Sequence, residues 1–357
     1  MGLRSLRITN VRNISEAVVH PGPNVNIILG ENGSGKSSFL EAIYILARAE
    51  SFRTRHVSEV ILFNEQELVV NGDLQVSGGL DSRVGVRMRR GEKTIRIDGS
   101  EGISKARLIR LFPLQFISPM SYQVIEGSPR FRRHFMDWGV FHLEDDYRTE
   151  WKRFNRCLSQ RNRLLKERNR PDLSAWDCEF VKYGTIVAGR RQDYIRKLIP
   201  YMQGIGQQML PGKELTVDYH HGWDPRDELD VALNTASTRD MKFGFSHLGP
   251  HKGDLEVKVD GRSCKAYLSR GQIKLLVLVM VLAQIKLLSN ERNIVASLLI
   301  DDFCAELDSR NLNILKNFLS DSDLQCFITA MDRNSIGTLC GINSTLFHVE
   351  RGQIKPI

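Results

Sequence analysis

"ILGENGSGKSSFLEAI", residues 28–43, runs from an apolar segment through a glycine-rich loop into a stretch with helical character. Gly30, Gly35, Lys36 and Ser37 fit the pattern G-x-x-x-x-G-K-[ST], and Val25–Leu29 before them reads as a buried parallel strand. Glycine lets a backbone fold around phosphate oxygens without Cβ clashes, so successive amides point inward as an anion nest. The nest predicted here comprises Gly30, Glu31, Asn32, Gly33, Ser34, Gly35, Lys36, Ser37 and Ser38. Lys36 is expected to reach β- and γ-phosphates, and the Ser37 hydroxyl to ligate Mg²⁺. A helix from Lys36 to about Arg48 would aim its positive end at the same oxygens. The loop therefore predicts ATP binding.

Length and composition bound what surrounds the loop. A chain of 357 residues suggests two domains, or one core with a large insertion. Its net charge of +8 and pI near 9.2 point to a polyanionic partner. Cys157, Cys178, Cys264, Cys304, Cys326 and Cys340 are scattered, with no C-x-x-C pair, so neither a zinc site nor a disulfide framework is indicated and a reducing cytosol fits. "MGLRSLRITNVRN" has no apolar core of a signal peptide. The longest apolar run, Leu275–Ile285, is short for a bilayer and reads as a buried core helix.

Three regions follow one another. Residues 1 to about 118 are strand-rich, and "RVGVRMRRGEKTIRIDG" alternates around Gly91 as a hairpin with a polar outer face. From about 119 to 239 the pattern is helical and basic. Tyr147, Trp151, Phe154, Leu158 and Leu165 recur at helical spacing, as do Trp176, Phe180, Tyr183, Val187, Tyr194 and Leu198, with Pro171 as a breaker between the two series. Two antiparallel helices sharing their apolar stripes would form a short arm. After about 240 strands and helices alternate again.

That last region holds partners for the loop. "SLLIDDF", residues 297–303, is an apolar strand ending in two acids: Asp301 is placed to hold Mg²⁺ and Asp302 to contact the attacking water. "LSRGQ", residues 268–272, opens the long apolar helix, where Ser269 and the Gly271 amide could form a second anion site or Ser269 could cap the helix. Arg130, Arg132 and Arg133 cluster before an aromatic-rich helix, and Lys152, Arg153, Arg156, Arg161, Arg163 and Lys166 line the arm. Such charges suit a DNA backbone. Interspersed acids, among them Glu144, Asp146 and Glu150, would equally make a solvated helix face.

The order of phosphate loop, "LSRGQ", "LLIDDF" and "AELD" resembles the ATP-binding-cassette class, particularly its SMC-like DNA-repair branch and, within it, the RecF family of bacterial recombination mediators. The resemblance spans essentially the whole chain, from "LRITNVRN" and "SFRTR" through "EGSPRFRRHFMDWGVFH" and "HLGPHKGDLEV". It implies an α/β ABC-type ATPase head (1–118 and 240–357) with a strand-rich N-terminal lobe and an inserted helical arm (119–239). The family usually carries an acid after Pro119, where this chain has Met120.

A working cycle is implied with it. Lys36 and Ser37 would act in one subunit, and Ser269, Arg270, Gly271 and Gln272 in trans from a second, closing an ATP-dependent homodimer. Gln115 would sense metal and water. Asp302, where the wider class has a glutamate, implies a slow switch, a weak DNA-stimulated ATPase. The implied function is ATP-dependent binding of single-stranded, gapped or duplex DNA in the cytoplasm, supporting recombinase loading with RecR-like and RecO-like partners, fork maintenance and SOS induction. The alternative is an ABC-type subunit coupling hydrolysis to a membrane transporter.

Overall fold

The computed structural model describes residues 2–76, 81–168, 171–302, 307–333, 336–337, 339 and 343–357. In chain order its elements begin with β1 (Gly2–Val11), β2 (Ile14–Val19), β3 (Val25–Leu29), α1 (Lys36–Arg48), β4 (Glu67–Gln75), β5 (Asp81–Arg89), β6 (Glu92–Ile97), α2 (Lys105–Leu111) and β7 (Leu114–Ile117). There follow α3 (Gln123–Glu126), α4 (Pro129–Leu143), α5 (Tyr147–Glu167), α6 (Leu173–Met209), β8 (Leu215–His220), α7 (Leu229–Phe243), β9 (Asp254–Val259), β10 (Arg262–Ser263), α8 (Cys264–Tyr267) and α9 (Arg270–Arg292). The chain closes with β11 (Ser297–Ile300), α10 (Ser309–Ser320), β12 (Cys326–Ala330), β13 (Ser344–Glu350) and β14 (Gln353–Pro356).

Two compact units result: Met1–Ser121 with Asn293–Ile357, and Tyr122–Arg292. The arm bounds read from sequence, 119–239, differ from this division at the second edge. The physical reason is local pairing. β9 hydrogen-bonds to β8, and α9 packs on α4 and α6, so residues 240–292 share a core with the helices before them.

In the first unit, one sheet runs β14-β13-β3-β12-β11-β7. Its five strands from β13 to β7 are mutually parallel, and β14 returns antiparallel. Continuous apolar runs such as "VNIIL" and "SLLI" are buried at every position, as strands covered on both faces require. The second sheet, β2-β1-β4-β5-β6, is antiparallel throughout. β5 alternates buried and exposed residues, and Gly91, at φ 79°, turns it into β6. Leu40, Ile43 and Leu46 of α1 pack into a core with Leu3, Ile8, Val70 and Val86 from this sheet and Phe327 and Phe347 from the parallel one. α1 is thus clamped between two sheets, which fixes the loop at its amino end.

In the second unit α5 and α6 pack side by side as the sequence pattern predicts, burying Tyr147, Phe154, Leu165, Phe180, Val187, Tyr194 and Leu198. Trp151 departs from the stripe and is exposed. Leu276–Ile285 of α9 are buried without exception, which makes that apolar run a core helix. By length and composition alone α9 would also suffice to cross a membrane.

Candidate nucleotide-binding site

The parallel register brings the motif residues to one edge. Ile28 and Leu29 of β3 pair with Thr329 and Ala330 of β12, while Ile300 of β11 pairs with Ile328 and with Ile117. The glycine-rich loop, Asp301 and Thr329 therefore leave the sheet at the same carboxyl edge, where open α/β sheets bind ligands. Gly30 is required for space: a Cβ there would lie 2.4 Å from the Val349 carbonyl and 2.7 Å from Ser34 Oγ. Gly35, at φ 122°, ends the loop as the N-cap of α1.

The loop's interior is set up for an anion. α1 starts with no side-chain cap and no acid in its first turn, so its amides and the positive end of its dipole are left for another acceptor. Lys36, only 4% exposed, donates from Nζ to the carbonyls of Gly30 (2.8 Å) and Glu31 (3.0 Å). Ser34 Oγ is buried without a hydrogen-bond partner. A donor-lined cradle with an orphaned hydroxyl fits a phosphate group.

Ser37 Oγ donates to Asp301 Oδ1 at 3.0 Å, and Thr329 Oγ1 donates to the same oxygen at 2.9 Å. Burial pushes the Asp301 carboxyl above its ordinary range; the Thr329 and Ser37 hydroxyls oppose this, Asp302 adds to it, and Arg53 counters it. A buried carboxylate beside a hydroxyl, with nothing but neutral donors in contact, is the oxygen set that Mg²⁺ takes alongside phosphates and waters. Asp302 follows at φ 48°, held by its amide donating to Thr329 Oγ1 at 2.8 Å. Thr329 thus braces both acids.

Supports for the loop come from far along the chain. The Gly352 amide (2.8 Å) and Asn13 Nδ2 (3.2 Å) donate to the Ser34 carbonyl. Arg12 makes a two-pronged contact (2.8 and 2.9 Å) with the fully buried Glu41 of α1, and Ser51 Oγ donates to Glu41 as well. Adjacency of "VRN" at 11–13 to a turn was the available signal, since Arg12 adopts φ 56° in the β1–β2 hairpin.

Other predicted residues fall elsewhere. Gln115 lies inside β7 opposite Leu298, three positions short of Asp301, which is about 10 Å along a strand. Its backbone does not reach the edge where Ser37 and Asp301 meet. Ser269, in the second unit, caps α9: Gln272 N donates to Ser269 Oγ (3.3 Å) and Ser269 N to Gln272 Oε1 (3.0 Å), a reciprocal capping box. Arg270 and Gly271 are exposed at that helix start, and a Cβ on Gly271 would meet open space. Within "AELD", Ala305 and Glu306 lie outside the described residues, while Asp308 caps α10 through the Asn311 amide.

Of the basic residues read as a DNA surface, Arg161 is instead buried and paired with Asp177 and Asp240, and Arg132 and Arg133 are engaged within the fold. Arg132 forms a fork with Asp254 (2.7 and 2.9 Å) and donates to the Gly127 carbonyl, so its charge is neutralised within the fold. Arg133 donates to the Gly253 carbonyl, and burial, with Arg191 nearby, lowers its pKa. Arg130, Lys152, Arg153 and Arg156 are exposed, Arg153 donating to the Tyr183 hydroxyl. A cleft of about 320 Å³ in this unit is lined by Glu126, Arg132, His220, Asp254, Glu256 and Lys265. It mixes both signs of charge and holds no phosphate-binding motif.

The sheet order and the loop at its edge define an ATPase head of the ATP-binding-cassette type. Solved Smc heads share this architecture: the SmcHead bound to the C-winged helix domain of ScpA superposes over 100% of this chain and 97% of its own at a TM-score of 0.64, with 14% identity. The model of the RecF/RecN/SMC N-terminal domain matches residues 2–354. DNA replication and repair protein RecF of Pseudomonas entomophila is 38% identical over 359 residues, covering 99% of this chain and 98% of its own. RecF of Pseudomonas aeruginosa is 36% identical with the same coverage. A structure described as "the recombination mediator protein RecF-ATPrS in RecFOR pathway" has a TM-score of 0.88 and 25% identity, covering 100% of this chain and 98% of its own. The chain belongs to the RecF family.

Proposed function

We propose that this chain is a nucleotide-switched DNA-binding protein of recombinational repair, which binds ATP at the Gly30–Ser38 loop and resets by slow hydrolysis. The carrying observation is how Lys36 is held: by two carbonyls that an entering phosphate can replace. Ser37 and Asp301 would hold Mg²⁺, which when bound neutralises charge on the β- and γ-oxygens. Asp302, braced by Thr329, would orient the attacking water. Gln115, three positions back along β7, would sense the metal and water from the strand beside Asp301.

The exposed amino end of α9, with Ser269, Arg270, Gly271 and Gln272, would complete the site of a second copy and so form an ATP-dependent homodimer. The relative solved with an ATP analogue in the RecFOR pathway supports ATP as ligand and partners of the RecR and RecO types. Relatives named for DNA replication and repair support a DNA substrate, gapped, single-stranded or duplex, and with it recombinase loading, fork maintenance and SOS induction. The net charge of +8 and the exposed Arg130, Lys152, Arg153 and Arg156 suit a phosphate backbone. Free Cys157, Cys178, Cys264 and Cys326 suit the cytoplasm.

Lys36→Met tests the reading. ATP affinity and ATP-dependent DNA binding should fall together by about 100-fold or more, the scale of one charge-assisted contact in a dry site, with thermal melting nearly unchanged. ATP binding at wild-type strength in the folded variant would overturn the site.

A further inference from the structure

The carboxyl end of α7 presents an unusual surface. Phe243 is 55% exposed and Phe245 39% exposed, with ring centroids 6.3 Å apart. Phe245 packs on His247 with ring centroids 4.2 Å apart and the planes tilted by 31°. The imidazole beneath it is fixed: His247 Nδ1 (2.8 Å) and the His247 amide (3.0 Å) both meet Asp240 Oδ1, and the wholly buried Asp240 is paired with Arg161 at 2.6 Å. Lys242 Nζ stands 5.6 Å from the Phe243 ring centre, and Lys252 Nζ 5.4 Å from that of Phe245. Exposed Lys166 borders the Gly244 turn between the two phenylalanines, where an added Cβ would lie 3.2 Å from its side chain.

We propose that Phe243 and Phe245, backed by His247 and rimmed by Lys166, Lys242 and Lys252, form a stacking platform for unpaired bases of single-stranded DNA. Both rings are exposed, each overlain by a flexible lysine that a stacking base can displace toward its own phosphate, and Phe245 is backed by the fixed His247 ring, so little freedom is lost on stacking; every base offers a π-face. The three lysines select a polyanion over an apolar protein surface. Duplex DNA keeps its base faces stacked inside the helix, so the platform distinguishes single strands from duplex. This assignment rests on the DNA-binding reading above and gives it a named contact for the unpaired partner of a gap.

The test uses the full chain with ATP, an oligodeoxythymidine carrying one 2-aminopurine, and a blunt duplex. Wild type should quench the 2-aminopurine on binding. Phe245→Ala should weaken single-strand affinity about ten-fold and abolish most of the quench, with duplex affinity within about two-fold of wild type. Phe245→Tyr should keep both signals. Lys242→Ala should flatten the single-strand salt slope by about 0.7. Unchanged single-strand affinity and quench in Phe245→Ala would overturn the platform. So would a selective loss of self-association, which would make the patch a protein interface. A wild type that binds duplex but not single strands sinks the platform alone; one that binds neither sinks the functional reading as well.

Discussion

Lys36 and Arg161 are both cations withdrawn from water, at 4% and 1% exposure, and they are held in opposite ways. Lys36 donates to two backbone carbonyls, and among the described residues no carboxylate pairs with it. Arg161 donates to Asp177 (2.7 Å), Asp240 (2.6 Å) and Ser246 Oγ (2.7 Å) and lies 5.5 Å from the Phe180 ring centre. A carbonyl offers a partial charge, so an arriving anion still gains most of the lysine's attraction. A carboxylate offers a full one, and little attraction remains. Arg132 with Asp254, and Arg191 with Asp137, repeat the second arrangement. The buried charge of Lys36 is left for a ligand; those of Arg161, Arg132 and Arg191 serve the fold.

Replacing Arg161 is the severest way to test that contrast. Arg161→Met leaves Asp240 buried at 0% exposure with an uncompensated charge, and should cost about 3–5 kcal/mol in urea unfolding. Adding Asp240→Asn should restore part of the loss, because the orphaned charge goes with it. Lys36→Met, by the same assay, should be nearly silent. Equal stability losses in the two single variants would erase the distinction.

A smaller effect separates the units by pH. His251 sits against Phe154 and Phe180, donates from Nε2 to the Ser246 carbonyl and leaves Nδ1 buried without a partner. Burial pulls its pKa down to about 4; the Ser246 bond opposes this, Lys252 and Arg133 reinforce it, and Asp240 opposes it. The folded pKa is therefore below the unfolded value near 6.5, so the unfolded chain takes up the proton first. Stability is full above about pH 6.5 and falls as pH drops toward 4, by on the order of 2–3 kcal/mol in all. In His251→Gln this part of the pH dependence should vanish. A wild-type unfolding free energy with the same slope as the variant's across that window would show that His251 titrates normally.

The same contrast explains what could be read from the sequence. Gly30, Gly35, Lys36, Ser37 and Asp301 were legible because a phosphate site fixes residue type, spacing and strand edge together. The arm helices were legible from Phe154, Phe180 and Val187 at helical spacing. Arg132 misled, because Asp254, the carboxylate that neutralises it, lies 122 residues away and leaves no local pattern; the Gly253 carbonyl that engages Arg133 is as remote. Thr329, Asn13 and Gly352 were silent as site residues for the same reason: each acts through sheet register or a distant turn. The arm's second edge was also hidden, since residues 240–292 are tied to it by the β8–β9 pairing and by α9 packing on α4 and α6, which are tertiary contacts with no local pattern.

The smallest effect probes the first unit's own buried acid. Asp301, 8% exposed, has a pKa raised chiefly by burial, so at neutral pH its charge is carried at a cost to the nucleotide-free fold. The sign is the reverse of a salt-bridged carboxylate. The ionised form is disfavoured in the folded state, so the penalty is fully present above the raised folded pKa and disappears as pH falls below the unfolded value near 3.9. Asn at 301 keeps an oxygen to accept from Ser37 and Thr329 but carries no charge. Asp301→Asn should therefore raise the melting temperature by about 1–2 °C at pH 7 and by nothing near pH 3.5. Magnesium should stop improving ATP affinity in the same variant, because the hard, charged oxygen is gone. Such an opposition, stability gained and metal response lost at one residue, is what a site shaped for a ligand predicts, and no carboxylate paired with an arginine in the second unit should display it. A variant that is less stable than wild type at pH 7 would place Asp301 among the structural charges instead.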